Sequence, residues 1–280
     1  MKNIIAVVVA LVLMGGSNSL VAQEFNVATY NIRFDNAGDH GNLWKDRLPH
    51  LVSLINFHEI AIFGTQEGLY HQLEDISTKL GFNFIGAGRD DGAKGGEHSA
   101  IFYDPKQFEV LQNGDFWLSE LPSEPSVGWD AAMKRICSFA QFQTKEGAKF
   151  WVFNAHYDHV GQKAREESSK LIMDKIKEFN SDGEPVVFMG DLNVTPDNIA
   201  YQTIIQAQFL NDSYELSELA PHGPIGTFNA FNWDLMPDRR IDYIFVSEEI
   251  GVKKYAVLSD NYGKKYPSDH FPVFARIWLK

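Results

Sequence analysis

Strand-like and helix-like segments alternate from residue 25 to residue 278, with no repeat, low-complexity tract or long linker between them. Apolar residues in period-two or short continuous patterns predict strands, and apolar residues at helical spacing predict helices. The predicted strands are 25–30, 60–65, 99–103, 108–118, 150–156, 185–190, 240–246, 253–258 and 271–278. The predicted helices are 48–55, 69–80 (with Gly81 as its C-terminal stop) and 164–179.

Some predicted strands follow one another directly, whereas others are separated by helices. This mixture predicts an α/β sandwich, in which two sheets pack together and helices cover the outside. The length permits one large domain or two small ones, and without a linker we predict one domain over residues 23–280. Segments rich in Gly, Pro and Asp predict surface loops around a site, at 35–42, 89–97, 119–129 and 221–237.

The N-terminal segment has the pattern of a secretory signal peptide. Lys2 precedes an apolar run over residues 4–14, and small and polar residues follow. The run is short for a membrane span, so we predict removal of residues 1–22, with cleavage after Ser19 or Ala22. The alternative is an uncleaved N-terminal anchor helix. The predicted location is therefore periplasmic or extracellular, without a stable membrane span.

Charge and cysteine content exclude several classes of function. The formal net charge of −12 argues against non-specific binding to polyanions, which requires a basic face. Loss of residues 1–22 removes only Lys2 and brings the charge to −13. A phosphate ester held through a bound cation is compatible with this charge. Cys137 is the single cysteine, which excludes an internal disulfide framework and a cysteine-based zinc site.

Acids, amides and imidazoles stand where apolar strands end. Six segments share this format, namely 30–33, 65–68, 96–99, 154–159, 190–193 and 268–272, and segment 240–243 places an acid inside a strand. Charged groups are costly to bury unless they are paired or bind metal, so these acids indicate a shared cation or shared histidine partners. Each segment alone has an ordinary explanation: a helix cap for Glu67, a turn for 191–193 or 269–270, a core histidine for His156, and a structural ion pair for Asp242 with Arg239 or Arg240. The separate explanations do not account for the joint occurrence.

Together these segments resemble the endonuclease/exonuclease/phosphatase superfamily, which includes DNase I-like nucleases. The signature segments are Tyr30-Asn31, Gln66-Glu67, 154–158, 190–193, 240–243 and 268–272, and the resemblance covers about residues 25–280. It is nearest to secreted bacterial members often grouped with the mRNA-deadenylase-like branch. The resemblance implies a DNase I-like four-layer α/β/β/α sandwich of two mixed β-sheets flanked by helices. It also implies metal-assisted hydrolysis of a phosphate ester.

The resemblance assigns a divalent cation, Mg²⁺ or Mn²⁺, to Glu67, with Asn31 and Asp269 completing or supporting the ligand shell. Hard cations of this kind prefer carboxylate oxygens and keep several waters. Asp191 is implied to orient and deprotonate the attacking water. Asn193 is implied to hold that water or a phosphate oxygen.

Two imidazoles complete the implied catalytic set. His270, held by Asp242, provides a positioned imidazole at the scissile phosphate, and His156 donates a hydrogen bond to the phosphate. The resemblance leaves the general base open between Asp191 and the Asp242–His270 pair.

The substrate contacts rest on weaker signals. The predicted substrate-binding residues are Asn31, Arg33, Glu97 and Asn229. Arg33 counts against the abasic-site endonucleases, which usually carry an acid at that position. Further candidates for contact with substrate are Arg135, His159 and Arg165, while Trp44, Phe231 and Trp233 are candidates for the mouth of the site that are more often packing residues.

We therefore predict an exported, metal-dependent phosphoesterase that cleaves a phosphate mono- or diester and acts as a monomer. The first alternative is a nuclease, either a 3′–5′ RNA exonuclease or a DNase-like endonuclease, which the negative charge does not favour. A sphingomyelinase-like phospholipase lacks an obvious apolar hairpin for the bilayer. A non-catalytic binding module would be expected to lack part of the site, yet Glu67, Asp191, Asp242 and His270 are all present.

Overall fold

A computed structural model describes residues 23–280, so the predicted signal peptide lies outside the described residues. The strands are β1 (Glu24–Asn31), β2 (Ile60–Gln66), β3 (Gly68–Leu69), β4 (Asn83–Ile85), β5 (Glu97–His98), β6 (Ile101–Tyr103), β7 (Phe108–Trp117), β8 (Ile136–Thr144), β9 (Lys149–His156), β10 (Val186–Asp191), β11 (Asn211–Asp212), β12 (Asp242–Val246), β13 (Ile250–Val257) and β14 (Val273–Leu279). The helices are α1 (Trp44–Phe57), α2 (Tyr70–Leu80), α3 (Gln162–Phe179), α4 (Ile199–Gln206) and α5 (Ser213–Leu216).

The larger strands form two six-stranded sheets. The first sheet has the order β13-β14-β1-β2-β6-β4, and the second has the order β11-β12-β10-β9-β8-β7. Each sheet contains one parallel pair, β1 with β2 and β9 with β10, among antiparallel pairs. The short strands β3 and β5 form a separate two-stranded ribbon.

Three apolar clusters define four layers. Ile62 and Val152 belong to the cluster between the two sheets. Leu51 of α1 packs with the first sheet in a second cluster, and Ile172 of α3 packs with the second sheet in a third. Helices therefore cover the outer face of each sheet, which confirms the predicted α/β/β/α sandwich.

The strand pairing brings the chemistry-bearing strand ends to one edge of the sandwich. In the first sheet Asn31 is the register partner of Gln66, directly before Glu67. In the second sheet Asp191 is the register partner of His156 on one side and of Asp242 on the other. Parallel neighbours end at the same edge, and an antiparallel neighbour begins there, so the predicted residues converge.

Most predicted elements are present, but the short elements β3, β4, β5, β11, α4 and α5 were not predicted, and two larger differences concern the sheets. Segment 136–144, which the sequence analysis assigned to no element, forms β8; it pairs with strands on both sides, and its Ser and Gln residues interrupt the apolar pattern. The predicted strands 99–103 and 108–118 are consecutive, but β6 joins the first sheet and β7 the second. Gly81 ends α2 in the left-handed conformation, as predicted. Within residues 23–280, no helix has both the length and the apolar character needed to cross a membrane.

Candidate active site

A pocket of about 600 Å³ opens at the edge where these strand ends meet. It brings together eight of the predicted site residues in its wall: Arg33, Glu67, Glu97, His156, Asp191, Asn193, Asp269 and His270. The predicted residues Asn31 and Asp242 are fully buried directly behind this wall, where they hydrogen-bond to its members.

Asp191 lies at the centre of the site, at the end of β10. The preceding Gly190 has φ 155°, and a Cβ there would lie 2.0 Å from the carbonyl oxygen of Ala155, so the strand passes this point only with glycine. Asn31 Nδ2 donates to Asp191 Oδ2 at 3.0 Å, and the Asn193 backbone N–H donates to Oδ1 at 2.9 Å. The carboxylate is therefore fixed from both sides.

Two imidazoles face the same carboxylate oxygen. His156 Nε2 lies 3.6 Å from Asp191 Oδ2, and His270 Nε2 lies 3.8 Å from it. Burial, together with the nearby Asp242 carboxylate, raises the pKa of Asp191 against the opposing effect of His270. A carboxylate with a raised pKa is better suited to accept a proton than an exposed aspartate.

Asp242 orients His270 from behind. Their side chains hydrogen-bond between Oδ2 and Nδ1 at 2.9 Å. Burial by itself lowers the pKa of His270, but the carboxylates of Asp242 and Asp191 outweigh it and raise that pKa well above its usual value. His270 is therefore a cationic donor whose Nε2 faces Asp191 and the pocket.

His156 has the opposite electrostatic environment. Burial and the positive charges of Arg135 and Arg89 lower the pKa of His156 well below its ordinary value. Asn193 Nδ2 lies 3.2 Å from His156 Nε2 and also donates to the Tyr157 carbonyl at 3.1 Å. His156 is thus a neutral imidazole held beside Asp191.

Glu67 and Asp269 form a second acidic group in the pocket wall. Their side chains are 16% and 11% exposed, whereas that of Asp191 is 2% exposed. Arg33 is near both, with Nη1 3.8 Å from Glu67 Oε2 and Nε 3.9 Å from Asp269 Oδ2. Burial raises the pKa of Asp269, and the nearby charge of Glu67 adds to this shift.

Asn31 contacts this group through nitrogen. Its Nδ2 donates to Glu67 Oε1 at 3.0 Å as well as to Asp191, and its Oδ1 accepts the Arg33 backbone N–H at 3.0 Å. In this geometry the Asn31 nitrogen positions two carboxylates, while its oxygen accepts one backbone hydrogen bond and keeps a second lone pair.

The donor chemistry fits a hard divalent cation. Glu67 and Asp269 offer carboxylate oxygens at the pocket surface, and the closest cationic atoms to them are those of Arg33, at distances of 3.8 and 3.9 Å. Asp191, Asp242 and His270 are a second group with metal-ligand potential, because their ligand atoms lie within 4.8 Å of one another. In that group His270 Nδ1 and Asp242 Oδ2 already bind each other.

Three residues of the wall adopt left-handed backbone conformations. Arg33, Glu67 and Asn193 have φ of 55°, 64° and 53°. Such conformations are unfavourable for residues other than glycine and persist only where the surroundings impose them. The fold therefore holds these three side chains in place against a local backbone preference.

Two of the predicted substrate-binding residues, Glu97 and Asn229, have side chains that already bond to other residues of the protein. Glu97 lines the pocket, but both its oxygens accept from Arg89, at 2.7 and 2.8 Å. Burial raises the pKa of Glu97 although Arg89 opposes the shift. Asn229 is fully buried outside the pocket wall, and its Nδ2 donates to the Ser268 carbonyl, so it supports the loop that carries Asp269.

The three aromatic candidates for the mouth do not line the pocket. Trp44 is buried and donates to Asp75, Phe231 lies against Arg47, and Trp233 stacks on Tyr266. Other wall residues were not predicted as site residues, and most of them come from the predicted loop 221–237 and the residues just after it: Phe34, Met133, Phe228, Leu235, Pro237, Asp238, Arg239 and Ile241. The Pro and Gly content of that loop was the sequence signal that pointed to this region.

Paired six-stranded sheets with an acid, amide and imidazole site at one edge define a phosphoesterase of DNase I-like fold. Residues 28–270 match the sequence profile of the Endonuclease/Exonuclease/phosphatase family, and the chain belongs to this family.

Solved structures of related proteins have the same architecture. A mannosyl-6-phosphatase from Bacteroides thetaiotaomicron is 43% identical, with a TM-score of 0.88 over 90% of this chain and 99% of its own. An endonuclease/exonuclease/phosphatase family protein from the same organism is 42% identical, with a TM-score of 0.88 over 92% of this chain and 99% of its own. The human Nocturnin catalytic domain, with bound sulfate, is 18% identical, with a TM-score of 0.73 over 93% and 97%, and shares the fold.

Proposed function

We propose that this protein hydrolyses phosphate monoesters of sugars, with a divalent cation as cofactor. The observation that carries the proposal is the surroundings of Asp191. One carboxylate oxygen lies 3.0 Å from Asn31 and within 3.8 Å of both His156 and His270, beside a pocket large enough for a sugar phosphate.

In this reaction Asp191 orients a water and accepts its proton as the water oxygen bonds to phosphorus. The P–O bond to the sugar breaks, its electron pair stays on the leaving oxygen, and that oxygen takes up a proton from solvent while Asp191 releases its own. Asp242 fixes His270, so that its Nε2 donates to the phosphoryl group, while Asn193 and His156 hold the water or a phosphate oxygen beside Asp191. A cation held by Glu67 and Asp269 supplies Lewis-acid stabilisation of negative charge.

The substrate class is inferred from the relative and from the charge. The relative with 43% identity is a mannosyl-6-phosphatase. A net charge of −12 disfavours a long polyanion such as RNA or DNA, which requires basic residues along its backbone. A small monoester needs only the local contacts of the pocket. A nuclease activity is accordingly an outcome of the test below and not a second proposal.

The location follows from the N-terminal sequence. We propose that residues 1–22 direct export and that the mature protein acts as a monomer in the periplasm or outside the cell. Membership of the deadenylase-like branch stays a prediction, because the similarity to Nocturnin, at 18% identity, shows only a shared fold. Fractionation of the producing cells and N-terminal sequencing of the mature protein test the export.

The function is tested on a phosphoester panel with Mg²⁺, Mn²⁺ and EDTA. The panel contains mannose 6-phosphate, p-nitrophenyl phosphate, bis-p-nitrophenyl phosphate, nucleotides, inositol phosphates, sphingomyelin and short RNA. We expect sugar monoesters to give the highest kcat/KM and EDTA to abolish turnover. A preference for RNA, or full activity in EDTA, contradicts the proposal.

A further inference from the structure

A histidine outside the catalytic set lies in the same pocket wall. His159 follows β9, is exposed, and lines the pocket with His156 and Asp191. Its Nδ1 lies 2.9 Å from Nη2 of Arg135, and it makes no other hydrogen bond within residues 23–280. Because Nδ1 of this exposed side chain is held by Arg135, Nε2 is left to contact a molecule in the pocket.

Arg135 is itself held rigidly. It is 4% exposed, and its Nε contacts Oδ2 of Asp158 at 3.3 Å. Asp158 Oδ1 accepts the backbone N–H groups of Val160 and Gly161 at 2.9 and 2.8 Å. A buried ion pair is costly to form and contributes little net stability, so its presence at a pocket indicates a positioning role.

The contact with Arg135 determines the tautomer of His159. A guanidinium only donates hydrogen bonds, so Nδ1 of His159 is the acceptor and its proton is on Nε2. His159 therefore offers an N–H donor at Nε2. Such a donor suits the oxygen of a hydroxyl group.

Exposure increases from the reacting centre towards His159. Asp191 is 1% exposed, His270 is 5% exposed and His156 is 8% exposed, whereas His159 is exposed at the surface. Under the proposed function, a phosphoryl group beside Asp191 would occupy the buried end of the pocket, which places the alcohol portion of the substrate towards the exposed end, where His159 lies.

We propose that His159 selects polyhydroxyl leaving groups by donating a hydrogen bond from Nε2 to a sugar hydroxyl, and that Arg135 is the positioning residue that imposes this orientation. The inference rests on the proposed function, since it assigns the specificity of the same site. One hydrogen bond of this kind changes kcat/KM by about tenfold.

The test compares kcat/KM for mannose 6-phosphate with kcat/KM for p-nitrophenyl phosphate, whose leaving group has no sugar hydroxyls. We expect His159→Ala to lower the ratio of these two values about tenfold. His159→Gln retains an N–H near the position of Nε2 and should restore most of the ratio. The exposed neighbour Val160, which does not line the pocket, gives the control Val160→Ala, with the ratio of the wild type.

Arg135 is tested by a double-mutant cycle, because the third nitrogen, Nη1, is buried with no partner among residues 23–280 and is a competing substrate donor. If Arg135 acts through His159, Arg135→Lys lowers the ratio in the wild type but not in His159→Ala. Additive losses assign the contact to Arg135 and overturn the inference.

The outcomes separate the two proposals. An unchanged ratio in His159→Ala, or equal losses on both substrates, overturns the role of His159 while the proposed function stands. A wild-type protein that hydrolyses neither phosphate overturns the proposed function and the inference with it. Because His159 is exposed, His159→Ala is expected to retain the wild-type Tm, which a melting curve verifies.

Discussion

The two sheets contribute different halves of the pocket. The first sheet and its loops carry Glu67 and Asp269, the more exposed acids, which we assign to the cation. The second sheet carries Asp191 and His156, which are nearly buried and which we assign to the attacking water and the phosphate. Because of this difference, the acids assigned to the cation are accessible from solvent, whereas the proposed base lies in a low-dielectric environment.

Among the hydrogen bonds that cross between the two sheets, two join the proposed catalytic residues of the two halves. Asn31 of the first sheet donates to Asp191 of the second. His270, which precedes β14 of the first sheet, bonds to Asp242 of the second. The site therefore depends on the register between the sheets as well as on the side chains of each.

The largest expected effect comes from the second-sheet half. Asp191→Asn keeps the shape and removes the proposed base, so we expect kcat to fall about 10³-fold. The amide oxygen keeps the hydrogen bond from the Asn193 backbone, but the amide nitrogen faces Asn31 Nδ2, so a small fall in Tm should accompany the loss of kcat. Steady-state kinetics and a melting curve check this, with the exposed Asp174→Asn on α3 as the control. A near-wild-type kcat in Asp191→Asn would show that Asp191 is not the base.

The first-sheet half should respond through the metal. Glu67→Gln removes one ligand charge, and we expect the apparent affinity for Mg²⁺ or Mn²⁺ to fall about 100-fold, with part of the activity restored at high metal concentration. Metal titration of activity measures this, and Glu74→Gln, exposed on α2, is the matched control. An unchanged metal dependence assigns the cation to the group around Asp191.

The link between the halves should appear in the pH profile. Asp242 raises the pKa of His270, so the imidazolium persists to higher pH, and activity falls as pH rises through that pKa. Asp242→Asn removes this charge, and the alkaline limb should move to lower pH with about a tenfold loss of kcat. The Asp260–His58 pair lies outside the pocket, so Asp260→Asn should leave the limb in place. An equal shift of the alkaline limb in Asp242→Asn and Asp260→Asn would show that the shift does not arise from the Asp242–His270 pair.

The smallest expected effect is the difference between a substitution at the interface of the two sheets and one in the outer helical layer. Ile62 packs between the sheets, and Ile76 of α2 packs outside the first sheet; both are fully buried. Ile62→Val and Ile76→Val should each cost about 1 kcal/mol of unfolding free energy. Only Ile62→Val should also lower kcat, by about twofold, because it loosens the interface that the site bridges. Denaturant unfolding and steady-state kinetics of the two variants test this. Equal kcat values would show that packing between the sheets does not affect the site.

Much of the fold and the members of the site were predictable because the signals are local. A strand that ends in Gly190-Asp191 or Gln66-Glu67 is visible as a short apolar run followed by a polar group. The pairing of β6 and β7 with different sheets was not predictable from Asp104-Pro105 alone. Nor was β8 recognised, since burial on both sides replaces the alternation that marks a half-exposed strand.

The contacts that assign roles required the tertiary structure. The sequence shows Glu97 as a free acid near a strand end, but Arg89 binds both of its oxygens. It predicts that Asn31 completes or supports the cation's ligand shell, but it does not show that the Asn31 nitrogen bonds both Glu67 and Asp191. Pairing partners and amide orientation depend on atoms that sequence spacing does not place.

The pairing of β1 with β14 has a consequence for synthesis. β1 lies in the interior of the first sheet, between β2 and β14, and β14 ends at Leu279. β1 therefore lacks one of its two neighbours until residues 273–279 have also been synthesised, so the first sheet cannot be completed while the intervening chain is being made. During that time its unpaired apolar strands are available to holding chaperones.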